Sequence, residues 1–186
     1  MNKTLSSLIM LMLLFAWWSS LTIGLSSDEY FHHINGLVRY KFLISFGEIQ
    51  KFEFRNNEFY PGLYDTISYA LGQIVFLINK KFYANNIDVV MHFVNISFST
   101  LSILGLYLLT QKLFNKKIAL ITTLLTLLNP FFFGHMGMNS KDIIVFFAFI
   151  WSCYYFYLYC TEDNNLSKNL IFFSLFFGFG CGVRLT

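Results

Sequence analysis

Charge is what this sequence has least of. Asp, Glu, Lys and Arg make up 12% of its 186 residues, about half the share of an ordinary soluble domain. The chain is 56% hydrophobic and holds 24 phenylalanines. A soluble fold of this size has too few charges to cover its surface and too little interior for so many large apolar side chains. Basic tracts with interleaved polar residues are also missing. The net charge of +3 comes from 13 bases against 10 acids, and the bases are scattered, so nothing points to a nucleic-acid partner. Cys153, Cys160 and Cys181 form no Cys-x-x-Cys pair, which argues against a disulfide framework or a zinc site. Each lies in or beside an apolar run and reads as a small apolar filler. The spacing His-x-x-x-His does not occur, so there is no zincin signal.

What is present is a series of apolar blocks of bilayer-crossing length. The first, 5–25, is too long for a signal peptide and lacks a small-residue cleavage motif, so it reads as a retained helix. Four more follow at 89–110, 118–133, 143–160 and 169–183, the third interrupted near its end by Asn129-Pro130. The expected fold is all-α: a polytopic membrane protein with about five transmembrane helices in this stretch. The sequence runs out at Arg184-Leu185-Thr186 without a polar tail, and is expected to be the N-terminal part of one larger transmembrane domain.

The connection 26–88 holds seven of the ten acids. Within it, Gly36 to Phe46 mixes apolar residues with Arg39 and Lys41. Tyr64 to Ile78 places Ile67, Ala70, Leu71, Ile74, Val75 and Ile78 at helical spacing. That run is short for a span and predicts an interfacial or re-entrant helix. Pro61-Gly62 marks the turn before it. The link bearing Lys112, Lys116 and Lys117 has no acid and is expected to be cytoplasmic. Counting spans from there puts 26–88, 134–142 and Arg184 together on the outer side.

The polar residues on that side are the candidates for chemistry. Asp28 and Glu29 follow the first span directly. They are either a solvated helix exit or a carboxylate serving as general base or metal ligand. Adjacent side chains on a helix diverge, so one of them faces a site, and Asp28 is the choice. His32 lies four residues on from Asp28, on the same face of a helix. It is either a metal ligand or an ordinary interface residue. Glu58 belongs to a loop corner or to a lip reaching the site. Asp142 follows Asn139 by three at the head of the fourth span, which suggests a capping box and suits the helix dipole. Lys141 does not suit that dipole, but a bound phosphate would suit both it and the free backbone N–H groups. His135, between glycines, is exposed to the same space.

Taken in order, Asp28-Glu29 after the first span, the Tyr60-Pro61-Gly62-Leu63-Tyr64 turn, Asn129-Pro130-Phe131-Phe132-Phe133-Gly134-His135 and Asn139-Ser140-Lys141-Asp142 resemble the polytopic glycosyltransferases of the protein-mannosyltransferase and aminoarabinose-transferase type, with the GT-C fold. The resemblance implies a sugar donor carried on polyprenyl phosphate, an acceptor that is a lipid, glycan or protein, and a site on the outer face of a bacterial plasma membrane. It also implies catalytic roles for Asp28, as base, and Asp142. Lys141 and Arg184 would hold the donor phosphate, with Glu29 and His135 in support. By the same resemblance Glu58 would contact a divalent metal ion if one is used; His32 is a weaker metal candidate from its position four residues after Asp28. Where the family often has a double proline this chain has Pro61-Gly62.

The rival reading is a transporter or flippase segment. Such proteins place coupling charges within spans near the midplane, whereas these acids stand in the outer links.

Overall fold

The computed structural model describes residues 2–48, 61–162 and 165–184. Among these, the regular structure is helical throughout: α1 (Asn2–Thr22), α2 (Ser27–Ile44), α3 (Leu63–Ile78), α4 (Lys80–Asn85), α5 (Ile87–Leu113), α6 (Lys116–Leu128), α7 (Pro130–His135), α8 (Asp142–Thr161) and α9 (Leu166–Val183). Helices α1, α5, α8 and α9 are each long and apolar enough to cross a membrane. The protein is therefore an all-α, multi-pass membrane protein.

The expected third span is not one helix. Asn129 is extended, with φ −71° and ψ 116°, because the residue before a proline is pushed out of the helical region. Its side chain then starts a new helix. Asn129 Oδ1 accepts from the backbone N–H of Phe131 at 2.9 Å, and Pro130 takes the first helical position, where no N–H is needed. At 13 residues, α6 alone is about 20 Å long, short of a hydrocarbon core of about 30 Å.

Helix α5 lies at the centre, against α1, α6 and α8, and α9 packs on α8. Its approach to α8 is close. A Cβ on Gly105 would stand 2.8 Å from Ile150 Cγ2, and Trp151 Nε1 donates to the carbonyl of Leu101 at 3.1 Å. Stacked rings join α8 to α9, with Tyr155 4.9 Å from Phe172 and 5.7 Å from Phe176. Helices α2 and α3 form a hairpin at one end of the bundle. There the carbonyl oxygen of Asp65 occupies the place that a Cβ on Gly36 would take. At the other end, Lys112 Nζ meets Glu162 Oε1 at 2.6 Å across the α5 and α8 termini.

Three elements meet at Asn95 in α5, which is fully buried. The Tyr64 hydroxyl of α3 donates to Asn95 Oδ1. Asn95 Nδ2 donates to the carbonyl of Gly137 at 3.0 Å. One turn on, Ser99 Oγ donates to the carbonyl of Met136 at 2.7 Å. The segment between α7 and α8 thus hangs from α5 by its own backbone. Asn95→Ala strands a buried phenol and a buried carbonyl, so a loss of about 1–2 kcal/mol is expected. Thermal unfolding in mild detergent measures it, and an unchanged Tm would mean that other contacts hold the segment.

Candidate functional site

The start of α2, the α7–α8 segment and the end of α9 enclose an open cleft of about 750 Å³. Its walls include Ser26, Asp28 and His32 from one side, Pro130, Phe131, Gly134 and His135 from another, and Asn139, Ser140, Lys141, Asp142 and Arg184 from a third. Six residues singled out in the sequence, Asp28, His32, His135, Lys141, Asp142 and Arg184, therefore share one cleft. Glu58 lies outside the described residues.

Glu29 does not line the cleft. The first turn of α2 rotates it inward while Asp28 stays exposed. Glu29 is fully buried, with Oε1 2.8 Å from His92 Nε2 of α5. Its Oε2 accepts the backbone N–H of Ser26 at 2.7 Å, which closes the head of the helix. The two adjacent acids thus have different jobs: Glu29 fixes α2 to α5, and that fixes the direction in which Asp28 leaves the helix.

Asn139 organises the opposite wall. Its Oδ1 accepts from the backbone N–H of Lys141 at 3.0 Å and of Asp142 at 2.8 Å, which ties the turn leading into α8; the cap position itself is Lys141, without a side-chain cap bond. The return bond of a capping box is not made to the Asn139 backbone; instead Asn139 Nδ2 donates to Asp142 Oδ2 at 3.1 Å. The same amide lies 2.8 Å from His135 Nδ1. An amide nitrogen only donates, so His135 Nδ1 is the acceptor and the ring proton sits on Nε2. Asp142 Oδ1 receives Arg184 Nη1 at 2.7 Å. This pair is half exposed, and such ion pairs are worth about 0–1 kcal/mol. Only one of the guanidinium's five N–H donors is needed for it, so Arg184 has donors to offer an anion in the cleft. Lys141 adds a second positive charge on the same wall.

His32 is tied from behind. Its Nδ1 lies 3.0 Å from Asp65 Oδ1 of α3, and Asn35 Nδ2 reaches Asp65 Oδ2 at 2.5 Å. Sequence reasoning placed Asp65 only within an amphipathic helix and overlooked His92 and Asn95 altogether. A visible signal existed for the last two: His92, Asn95, Ser99 and Ser102 recur at helical spacing inside an apolar span, and all four are buried. Burial also moves two titratable groups here. It pushes the Tyr64 phenol above its ordinary range, and the carboxylates of Asp65 and Glu29 add to the shift. It lowers the His33 imidazole. Among the described residues, no group of three or more His, Cys, Asp or Glu side chains is placed to hold a metal ion.

The unequal surroundings of the paired acids have a measurable consequence. Glu29→Ala leaves buried His92 and the Ser26 N–H without their partner, at an expected cost of about 2–3 kcal/mol. Asp28→Asn, at an exposed position, is expected to change stability by less than about 0.5 kcal/mol. Unfolding curves of the two variants in one detergent compare them, and equal losses would contradict the arrangement.

Residues 68–186, well over half of the chain, match the dolichyl-phosphate-mannose-protein mannosyltransferase family. No curated protein and no solved structure matches the chain. The matched segment carries His135, Lys141, Asp142 and Arg184, while Asp28 and His32 come before it and reach the same cleft through the α2–α3 hairpin. Several apolar helices, a polar cleft at one end of the bundle and this match agree: the chain belongs to the dolichyl-phosphate-mannose-protein mannosyltransferase family, a family of membrane glycosyltransferases.

Proposed function

We propose that this protein transfers a sugar from a polyprenyl-phosphate-linked donor to an acceptor at the outer face of a bacterial plasma membrane, with Asp28 as general base. The observation that carries the reading is the meeting of an exposed carboxylate, Asp28, with the cations Lys141 and Arg184 in one cleft at the end of a membrane bundle. A sugar phosphodiester already has a good leaving group. What the protein supplies is an acceptor held in line, a base for its proton, and positive charge for the departing phosphate. In this reading Lys141 and Arg184 receive the phosphate, Asp142 orients Arg184, and the lipid tail stays in the bilayer. The acceptor is a lipid, a glycan or a protein that reaches the cleft from outside. A single in-line displacement inverts the anomeric centre.

Orientation can be tested separately from chemistry. The acid-free link bearing Lys112, Lys116 and Lys117 supports its cytoplasmic placement. In a background without native cysteines, Glu48→Cys and Met138→Cys are expected to react with an impermeant maleimide added outside the cell. Lys116→Cys is expected to react only after permeabilisation, and the reverse pattern would invert the whole arrangement.

Asp28→Asn tests the base. It keeps the size of the side chain and removes its charge. The expected result is unchanged donor affinity and a single-turnover rate lower by roughly 10²–10⁴-fold, the usual worth of a positioned base. A near-normal single-turnover rate would leave Asp28 as no more than a solvated residue near the start of α2.

A further inference from the structure

Helix α3 is amphipathic in the sense opposite to that of a helix facing water. It turns Asp65, Ser68 and Gly72 inward, where all three are buried. It turns Leu71, Ile74, Leu77 and Ile78 outward, the last three at 55%, 79% and 81% exposure. These four positions fall within an arc of about 120° on a helix, and a water-facing helix carries such a stripe on its inner side. The placement of α3 adds to this. At 16 residues it is about 24 Å long, too short to span a hydrocarbon core of about 30 Å. The six-residue α4 follows it, and α5, long and apolar enough to cross a membrane, begins at Ile87. About 9 Å of helix therefore separates the end of α3 from the start of a span. Lys80 and Lys81 open α4, and both are exposed. Lys80 Nζ stands 5.5 Å from the centre of the Phe76 ring, a cation–π contact that leaves its charge uncancelled. From 63 to 85 the sole acid is the buried Asp65, so the exposed charge of this stretch is positive.

We propose that the outer face of α3 and the head of α4 form a docking site for anionic lipid, with Leu71, Ile74, Leu77 and Ile78 in the acyl layer and Lys80 and Lys81 on phosphate headgroups. Burying the four side chains takes apolar surface out of water, and lysines at the border of an interfacial helix gain further from a negatively charged leaflet. A protein surface would also cover an apolar face. The bilayer is the better occupant because α5 brings it to within one short helix of Ile78 without a second chain. The two lysines are complementary to phosphate, and they stand between the apolar face and the α5 span, at the level that headgroups occupy. Docking also bears on the cleft. Asp65, on the inner face of α3, meets His32 and Asn35 of α2, so a bilayer that holds α3 helps to set the height of the wall bearing Asp28. The site does not depend on the catalytic reading of Asp28. It holds for either orientation of the chain, since α3 and the start of α5 share a leaflet in both.

Fluorescence quenching tests both halves of the site without any assay of turnover. The full chain, with Cys153, Cys160 and Cys181 replaced by alanine, carries a single bimane label at Leu77→Cys or Ile74→Cys and is placed in lipid nanodiscs. Both positions are exposed, so the label does not disturb the packing of α3. Bromine atoms on the acyl chains are expected to quench the label, and acrylamide in the water is expected not to. Quenching by acrylamide alone would place the face in water and overturn the proposal. Protection from both quenchers would mean that polypeptide covers it, a second copy or another segment, and would equally overturn it. The headgroup half is read in nanodiscs of mixed phosphatidylglycerol and phosphatidylcholine, with the same bromine content carried on one lipid or on the other. Quenching is expected to be roughly two- to fivefold stronger when the bromines are on phosphatidylglycerol. In the double variant Lys80→Gln, Lys81→Gln that preference is expected to vanish while quenching by the acyl chains remains. Equal quenching by the two lipids with both lysines in place would overturn the anionic assignment.

Discussion

A chain that breaks its helix inside a membrane must find partners for the backbone groups it frees, because lipid offers none. The link after α7 leaves such groups buried at Met136 and Gly137, and α5 supplies their partners. Ser99 reaches the carbonyl of Met136 and Asn95 the carbonyl of Gly137. These bonds do more than repair a fault. They fix the height and direction of the segment carrying Asn139, Lys141 and Asp142, and Asn95 ties that segment to α3 through Tyr64. Further along the same polar stripe, His92 holds Glu29 and so sets the rotation of α2. Two walls of the cleft are therefore referenced to one helix.

The two side-chain contacts around the cleft differ in what they permit. Glu29 and His92 are fully buried 2.8 Å apart, and removing either strands a polar group away from water. That makes the contact a fixed point. Asp142 and Arg184 are 62% and 42% exposed, so their separation costs little and a phosphate can compete for the guanidinium. Rigidity sits behind the cleft and exchangeable charge sits within it. The proposed site, which would bind and release an anion on every cycle, needs that division.

Much of the architecture was legible in the sequence, and the reasons are local. The apolar runs became helices because length and composition decide that question in a membrane. Asp28, Asp142 and Arg184 reached one cleft because counting spans puts them at one end of the bundle, and packing then brings those ends together. Pro130 announced an interruption, but the run 118–133 was still expected as a single span. The structure divides it at Asn129, whose side chain begins a second helix. What local reasoning missed were pairs made across long sequence separations. His32 with Asp65 and Glu29 with His92 each join residues from different helices, and no spacing rule encodes such a meeting. The stripe of His92, Asn95, Ser99 and Ser102 was different. It was present as a period, but it lay within a span assigned by hydropathy, where polar residues count only as noise. A polar face inside an apolar helix is better read as a demand made by a neighbouring backbone.

The helix break also explains where an amphiphilic substrate would meet the protein. Pro130 lines the polar cleft on one side and, on the other, an apolar groove of about 520 Å³ with Leu11, Met12, Phe15, Leu127, Leu128 and Phe133. An unbroken helix would carry its regular surface past this level. Ending α6 and restarting as α7 lets one residue border both environments, with Asp28 and Arg184 above and leucine and phenylalanine side chains below. A molecule with a charged head and a long apolar tail pays a large solvation penalty if either part is moved into the other's surroundings. A polar cleft bordering an apolar groove removes that penalty without drawing the tail out of the bilayer. In the proposed function, the proline that ends α6 thus places the polar cleft beside an apolar groove suited to the tail of a lipid-linked donor.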